Sequence, residues 1–254
     1  MKPDYKNWMP KGMVLGFLAA AGGALLLSLV FGVAGAVGKI LLVIAILFAI
    51  MTIWMFLMYR AFSYNGSRQM SKQIIEGVSS YVKIPDGGKG LDVGCGSGAL
   101  TIACAKKNPN AHMVGIDRWG KEYASFSKAL CERNAEAEGT ENISFSQGDA
   151  TKLEFGDETF DAVTSNYVYH NIPSRDRQAI LLETLRTLKK GGTFAIHDIM
   201  SKSKYGDMQS FAQKLKDMGY EDVKLIDTTS GMFMSKFEAT WMGLSGSTIL
   251  MGRK

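Results

Sequence analysis

Cysteine and histidine are scarce in this chain of 254 residues, with three of each. Cys95, Cys104 and Cys131 are an odd set without metal-ligand spacing, which excludes a disulfide-stapled miniature and a zinc framework. His112 begins a predicted strand with no evident partner, and no metal is expected. Acid is almost missing from the first sixty residues, where Asp4 stands alone against Lys2, Lys6, Lys11, Lys39 and Arg60. Internal repeats and low-complexity tracts are absent too. Apolar material is plentiful: 46% of the residues are hydrophobic, which excludes a disordered chain.

The formal net charge of +5 is unevenly spread, with +4 in residues 1–60 and +1 in residues 61–254. A pI near 9.0 would ordinarily raise nucleic acid as a partner. Here the basic excess adjoins the most apolar part of the chain, so a membrane takes precedence. The near-neutral remainder lacks the unopposed cations that backbone binding of RNA needs, and no nucleic acid is expected.

Residues 13–37 contain no ionisable side chain, and residues 40–59 none that is charged at neutral pH. As helices they would measure roughly 37 and 30 Å, enough to cross a hydrocarbon core about 30 Å thick. Gly38-Lys39 divides them in this reading, with Gly35 available to loosen the end of the first. A signal peptide would have an apolar core of only about 7–15 residues and no second span. Lys2, Lys6 and Lys11 precede the first run, and Arg60, Arg68 and Lys72 follow the second, while the turn offers Lys39 alone. The positive-inside rule then places both termini and everything after residue 60 in the cytoplasm. Gly12, Gly16, Ala20, Ala24, Ser28, Gly32 and Ala36 recur at every fourth position. Such a ridge suits close helix packing, either on the second run or in a homodimer.

After residue 60 the pattern becomes that of a soluble α/β protein. An amphipathic helix is predicted over 71–82, ended by Ile84-Pro85-Asp86-Gly87-Gly88. Strands are predicted over 90–93, 113–116, 143–146, 160–164, 193–196, 223–226 and 248–251. Helices are predicted between them over 99–107, 121–137, 176–188 and 208–218. The alternation implies a mainly parallel sheet covered on both faces. The division expected is an anchor over 1–60, a linker and helix over 61–88, and one α/β domain over 89–254.

The strongest motif is Leu91-Asp92-Val93-Gly94-Cys95-Gly96-Ser97-Gly98-Ala99-Leu100, which follows a strand and opens a helix. Its glycines allow a tight turn and close approach of a ligand to backbone N–H groups. Gly94-x-Gly96-x-x-Ala99 also satisfies the dinucleotide fingerprint. Asp92 tips the balance, since a carboxylate there would repel a pyrophosphate but suits a ligand bearing an ammonium group. Asp117 ends the second strand, where a carboxylate can accept both hydroxyls of a ribose. Asp149, in Gly148-Asp149-Ala150, follows the third strand and could accept the exocyclic amine of adenine. Residues 160–166 run to the edge of the same pocket. Four landmarks at the carboxyl ends of consecutive strands mark the ligand-binding edge of an open α/β sheet.

With these residues the sequence resembles the class I S-adenosylmethionine-dependent methyltransferases, over roughly residues 71–254. Leu188-Lys189-Lys190-Gly191-Gly192-Thr193-Phe194 is similar to that family's junction into the fifth strand. The resemblance implies a Rossmann-like α/β fold: a seven-stranded, mostly parallel sheet whose last strand is antiparallel, here preceded by two transmembrane helices. It implies S-adenosylmethionine as cofactor, with Asp92, Gly94, Gly96 and Gly98 around the methionine part. Asp117 would hold the ribose, and Asp149 with Ala150 the adenine. Trp119 would either stack on the adenine or pack in the core, and Cys95, Ser97, Arg118 and Asn166 would complete the cofactor site.

Methyl transfer asks the protein to align nucleophile, carbon and sulfur, and to supply a base where the nucleophile is protonated. The candidate segment is residues 165–172 at the mouth of the fourth strand, with Tyr169 and His170. His170 has a suitable base chemistry, with an unperturbed pKa near 6.5. His197-Asp198, at the end of the fifth strand, is a second candidate pair, or a hydrogen-bonded structural one. Asn166-Tyr167 is similar to part of the Asn-Pro-Pro-Tyr motif of enzymes acting on planar amines, but lacks both prolines. Residues 231–237 are unusually apolar for a loop and read either as an apolar rim or as the core side of a hairpin. A membrane-held methyltransferase acting on a small lipophilic acceptor is the leading expectation. A protein or RNA methyltransferase and a non-catalytic cofactor-binding module are the alternatives.

Overall fold

The structure, a computed structural model, describes residues 2–120 and 125–254. The chain forms two compact units, Asn7–Lys72 and Met1–Lys6 with Gln73–Lys254.

The first unit is built on α1 (Lys11–Val30) and α2 (Ala36–Phe62). Both are long and apolar enough to cross a membrane by length and composition. They pair antiparallel, tied at one end by Asn7 Nδ2 donating to the Tyr59 carbonyl at 2.7 Å. At the other end Ser28 Oγ donates to the Gly38 carbonyl at 2.7 Å. Their outward side chains are exposed, Val30 by 78% and Leu26 by 66%. The break falls at residues 31–35 rather than at Gly38-Lys39, because Gly32 turns left-handed and Gly35 begins the next helix. Lys39 therefore lies in the first turn of α2. A Cβ on Gly38 would stand 2.0 Å from the Gly32 carbonyl oxygen, so the turn admits only glycine there. Of the small-residue ridge, Ala24 and Ser28 are buried, whereas a Cβ on Gly12 or Gly16 would meet nothing within 4 Å.

Leading out of this pair, α3 (Met70–Ser79) buries Ile74, Ile75 and Val78. The second unit is a seven-stranded sheet in the order β3-β2-β1-β4-β5-β7-β6. Its strands are β1 (Lys89–Val93), β2 (His112–Asp117), β3 (Ile143–Gln147), β4 (Phe160–Asn166), β5 (Leu188–Ile199), β6 (Glu221–Asp227) and β7 (Ser247–Arg253). The first five pair parallel, and β7 lies antiparallel between β5 and β6, as the resemblance implies.

The strands alternate with α4 (Ala99–Lys107), α5 (Lys128–Ala137), α6 (Arg177–Arg186), the short α7 (Lys202–Tyr205), α8 (Met208–Asp217) and α9 (Lys236–Trp241). Their starts follow local chemistry. Ser127, Asp176 and Asp207 accept backbone N–H bonds as N-caps, and Ser235 with Glu238 closes a capping box. The helix expected over 121–137 is described from Lys128; residues 121–124 lie outside the described residues. Strand β5 begins at Leu188, earlier than expected, because Leu188 already pairs with Phe160 before an irregularity in register.

One core layer joins Leu91, Val93, Val163, Phe194 and Ile196 of the sheet to Leu181 and Leu185 of α6 and to Phe211 and Leu215 of α8. Strand alternation sends Asp92 and Thr164 to the opposite face. The carboxyl ends of β1, β2, β4 and β5 thus converge on one edge.

Candidate active site

The loop after β1 is held from below. Gly94 and Cys95 donate their N–H groups to the Ile116 carbonyl at 2.8 and 2.9 Å. Gly94 has a φ of +75°, and a Cβ there would stand 2.2 Å from Val168 Cγ2. The glycine therefore serves two needs, a left-handed backbone and the seat of Val168. Gly96 differs: among the described residues a Cβ there would meet Phe126 alone, at 3.9 Å.

Asp92 lies under this loop. It is 1% exposed, and its two oxygens accept from Thr101 Oγ1 at 2.6 Å and Thr164 Oγ1 at 3.1 Å. Burial pushes its pKa up to about 6 against the two hydroxyl bonds. The carboxylate expected to meet an ammonium group is thus enclosed, and it braces β1, α4 and β4 beneath the loop. Cys95 is buried as well, with its thiol pushed up by burial and by Cys131.

Asp117 stands at the loop's open side. Its Oδ2 accepts the Gly96 N–H at 2.9 Å, and its Oδ1 accepts the Trp119 N–H at 2.7 Å. Trp119, itself at a φ of +44°, donates its indole N–H to the Gly96 carbonyl at 3.0 Å. The indole is therefore half-buried against the loop instead of packed in the core. Asp149 is exposed, and its Oδ1 accepts from both the Thr151 N–H and Oγ1. Those bonds, backbone first, hold its carboxyl below the ordinary value, and the charge of exposed Arg118 adds to them. Ala150 packs at the margin of the core.

The turn after β4 holds the candidate segment of residues 165–172. Tyr167 has a φ of +55°, and a single 3-10 turn, Tyr169–Asn171, follows. Within it Tyr169 points inward, fully buried, its hydroxyl 2.8 Å from Thr184 Oγ1. That corrects its expected catalytic role: it is a core side chain. The His170 side chain is 14% exposed, with its Nδ1 2.5 Å from Asp198 Oδ1 and its backbone N–H donating to Asp198 Oδ2 at 3.2 Å. Asp198 is fully buried. Burial pushes its carboxyl up, yet the His170 hydrogen bond and charge, with the Ile199 N–H, hold it below the ordinary value. With Nδ1 donating to this carboxylate, the neutral ring carries its lone pair on Nε2.

Neighbours on β5 point to opposite faces, so His197 does not join Asp198. His197 is fully buried, with Nδ1 2.8 Å from Asn166 Oδ1 and Nε2 3.0 Å from Thr228 Oγ1. Burial pushes its pKa down to about 3, which leaves it neutral and a poor base. Its expected catalytic role is corrected to a structural one, and Asn166 is its partner.

Sequence reasoning missed two residues. Asp198 was paired with the wrong histidine, and Arg177 was passed over altogether. Arg177 donates to the carbonyls of Tyr169 at 3.0 Å, Ile172 at 2.9 Å and Lys204 at 3.0 Å, fixing the turn that presents His170. The apolar loop 231–237 divides in two. Phe233 and Met234 are buried, with Phe233 5.6 Å from the His197 ring, while Met232 and Phe237 are exposed, Phe237 by 77%. Among the described residues no cluster of His, Cys, Asp and Glu could hold a metal ion.

Strand order, glycine loop and acidic strand ends together define the seven-stranded class of methyltransferase-type domains. Comparison with known proteins gives the family: residues 84–242 match the methyltransferase domain, and the chain belongs to that family. It is similar to a demethylmenaquinone methyltransferase of Lactobacillus johnsonii, 31% identical over 165 residues, covering 61% of this chain and 65% of that one. One of the same name from Bacillus cytotoxicus is 34% identical over 110 residues, 43% of this chain and 44% of that protein. The match thus spans less than two thirds of these relatives' own length. Among solved structures, a geranyl diphosphate methyltransferase superposes with a TM-score of 0.57 at 13% identity, covering 77% of this chain and 82% of that one. The [4+2]-cyclase SpnF superposes with a TM-score of 0.55 at 20% identity, covering 75% and 84%. These neighbours share the fold, and a cyclase among them shows that the reaction must be argued from the site.

Proposed function

We propose that this chain is a membrane-anchored, S-adenosylmethionine-dependent methyltransferase whose acceptor is a lipophilic quinone in its reduced form. The observation that carries the chemistry is the turn after β4. Val168 seats on Gly94 of the cofactor loop, and two residues on, His170 is held by buried Asp198. The loop fits the cofactor in kind, since among the described residues a Cβ on Gly96, beside the Asp117 carboxylate, would meet nothing closer than 3.9 Å. Gly94, Cys95, Gly96, Ser97 and Gly98 would hold the methionine part, Asp117 and Trp119 the ribose and adenine, and Asp149, Ala150 and Arg118 the adenine margin. Asp92 acts beneath them as a brace.

When bound, S-adenosylmethionine supplies a methyl group already activated on a sulfonium. The chain must align the acceptor and house the proton that the acceptor loses for each methyl it gains. His170 Nε2 takes that proton, and Asp198 holds the ring and stabilises its charged form. The matched relatives are named for a quinone acceptor, and the exposed Met232 and Phe237 offer an apolar approach beside the same edge. The exposed apolar faces of α1 and α2 support a bilayer as their surroundings, because a soluble surface rarely carries so large an apolar patch. Residues 1–60 would then be the anchor and 89–254 the enzyme, with both termini cytoplasmic.

The test is the full chain in nanodiscs with methyl-labelled cofactor and demethylmenaquinone kept reduced. Label in the organic-extractable quinone is expected. Label confined to water-soluble products would refute the acceptor class, and no label anywhere would refute the activity.

A further inference from the structure

The second compact unit includes a segment that precedes the first apolar helix, Met1–Lys6. Its attachment runs through one face of α5. Asn134 is 2% exposed, and its carboxamide is used on both sides. Oδ1 accepts the Asp4 N–H at 2.7 Å, while Nδ2 donates to the Asp4 carbonyl at 3.1 Å and to the Ser97 carbonyl at 2.9 Å. Ser97 belongs to the glycine loop. One turn on, Glu138 Oε1 accepts the Tyr5 hydroxyl at 3.1 Å and Oε2 accepts Lys106 Nζ at 2.6 Å. Tyr5 is 5% exposed. One turn back, Cys131 Sγ donates to the Gly96 carbonyl at 3.2 Å.

Cys131, Asn134 and Glu138 fall at i, i+3 and i+7, so one helical face carries all three contacts. Only a carboxamide serves at 134. It presents one acceptor to an N–H and two donors to two carbonyls, which neither a carboxylate nor a hydroxyl can do. The buried carbonyl of Ser97 has its side-chain donor from a residue whose orientation is fixed by the N-terminal segment.

We propose that residues 2–6 act as a strap on the cofactor loop, with Asn134 as the positioning residue between them. The affinity of the loop for its cofactor is then set in part from ahead of the first apolar helix. The identity of that cofactor rests on the function proposed above, whereas the mechanical link does not.

Two measurements on the full chain separate these. Calorimetry with S-adenosylhomocysteine should show affinity about tenfold weaker in Asn134→Ala and several-fold weaker in Tyr5→Ala, the scale of one lost buried hydrogen bond and its consequences. Asn134→Asp should be worse than alanine, because a carboxylate would face two carbonyl oxygens. The double variant Tyr5→Ala/Asn134→Ala should bind no more weakly than Asn134→Ala alone, since both cut one connection. Amide exchange should quicken over 94–101 in each variant and stay unchanged in β6 and β7, which a general loss of stability would not produce. Tyr5→Phe, which keeps the buried ring and removes the hydroxyl, serves if alanine does not fold. Unchanged loop exchange in the Tyr5 and Asn134 variants overturns the strap, as does strict additivity of the two. Failure of the wild-type chain to bind the nucleoside overturns the cofactor assignment, and the exchange data still decide the strap.

Discussion

A base acts only if it is oriented, and in the proposed reaction Asp198 orients His170 through its Nδ1. His170→Gln should lower turnover by about two orders of magnitude, the usual worth of a positioned base. The remaining activity should lose its dependence on pH between mildly acid and mildly alkaline buffers, while S-adenosylhomocysteine binding stays within about twofold. Asp198→Asn acts through the ring and should lower turnover more than it alters KM. Quenched turnover measured over that pH range checks both, and a His170→Gln enzyme as fast as wild type would remove the dyad from the reaction.

Two further buried residues make opposite demands on pH. The Asp92 carboxyl rises from 3.8 in the unfolded chain to about 6 in the folded one. The stability it contributes is complete below pH 4 and is lost as pH rises through 6, a change of about 3 kcal/mol at 1.36 kcal/mol per unit. His197 falls from 6.5 to about 3, so its contribution is present above pH 6.5 and is lost as pH falls towards 3. Between pH 6 and 4 the two nearly offset each other. Asp92→Asn removes the first while keeping polar contact with Thr101 and Thr164. It should raise the melting temperature at pH 7.5, and this advantage should vanish by pH 4. Denaturation of both proteins at the two pH values decides it, and an equal advantage at both would mean that Asp92 folds with an ordinary pKa.

At the scale of elements, the site is a contact between two turns. Val168 occupies the space that a side chain at Gly94 would need. Gly94→Ala adds a collision at 2.2 Å to a left-handed backbone penalty of roughly 1–2 kcal/mol. Cofactor-product binding should fall by at least about thirtyfold, a loss of roughly 2 kcal/mol. Val168→Ala in the same chain removes the contacts at 2.2 and 2.6 Å and leaves the Cβ at 3.0 Å and the backbone term, so binding should recover in part. Calorimetry on the single and double variants measures this, and no recovery would show that the backbone term alone matters.

The strands, the glycine loop and the acidic strand ends were legible because each is local: alternation, turn glycines and cap residues act over a few positions. The partners of the site were not. Tyr167 enters the left-handed region after β4, and the turn that follows buries Tyr169 fully while His170 meets Asp198. Asp198 meets His170 across 28 positions, and its neighbour in sequence faces the other side of the sheet. Asp92 was read correctly as a marker of the motif, but its exposure depends on Thr101 and Thr164 closing over it. The helix break lies ahead of Lys39, because Gly32 turns left-handed and Gly35 begins the next helix, and a charge between two apolar runs does not fix where the helix ends.

At the scale of the whole molecule, charge and apolar length make one proposal about topology. The first sixty residues hold +4 of the net +5, and Lys39 is the single charge near the turn between the apolar helices. If α1 and α2 cross a bilayer as an antiparallel pair, the basic residues before α1 and after α2 lie on one side, which the positive-inside rule makes cytoplasmic. A reporter that fluoresces only in the cytoplasm should therefore shine when fused at either end of the full chain. A phosphatase that works only outside should be inactive at both and active when inserted between Gly32 and Gly35. The rule also predicts how the topology yields. Replacing Lys2, Lys6 and Lys11 by glutamine leaves Arg60, Arg68 and Lys72 to hold the second helix, so the catalytic end should stay inside. Removing Arg60, Arg68 and Lys72 as well, while adding lysines to the turn, should shift a measurable fraction of chains to the inverted form. An active phosphatase at the unaltered C-terminus would contradict the cytoplasmic placement of both ends.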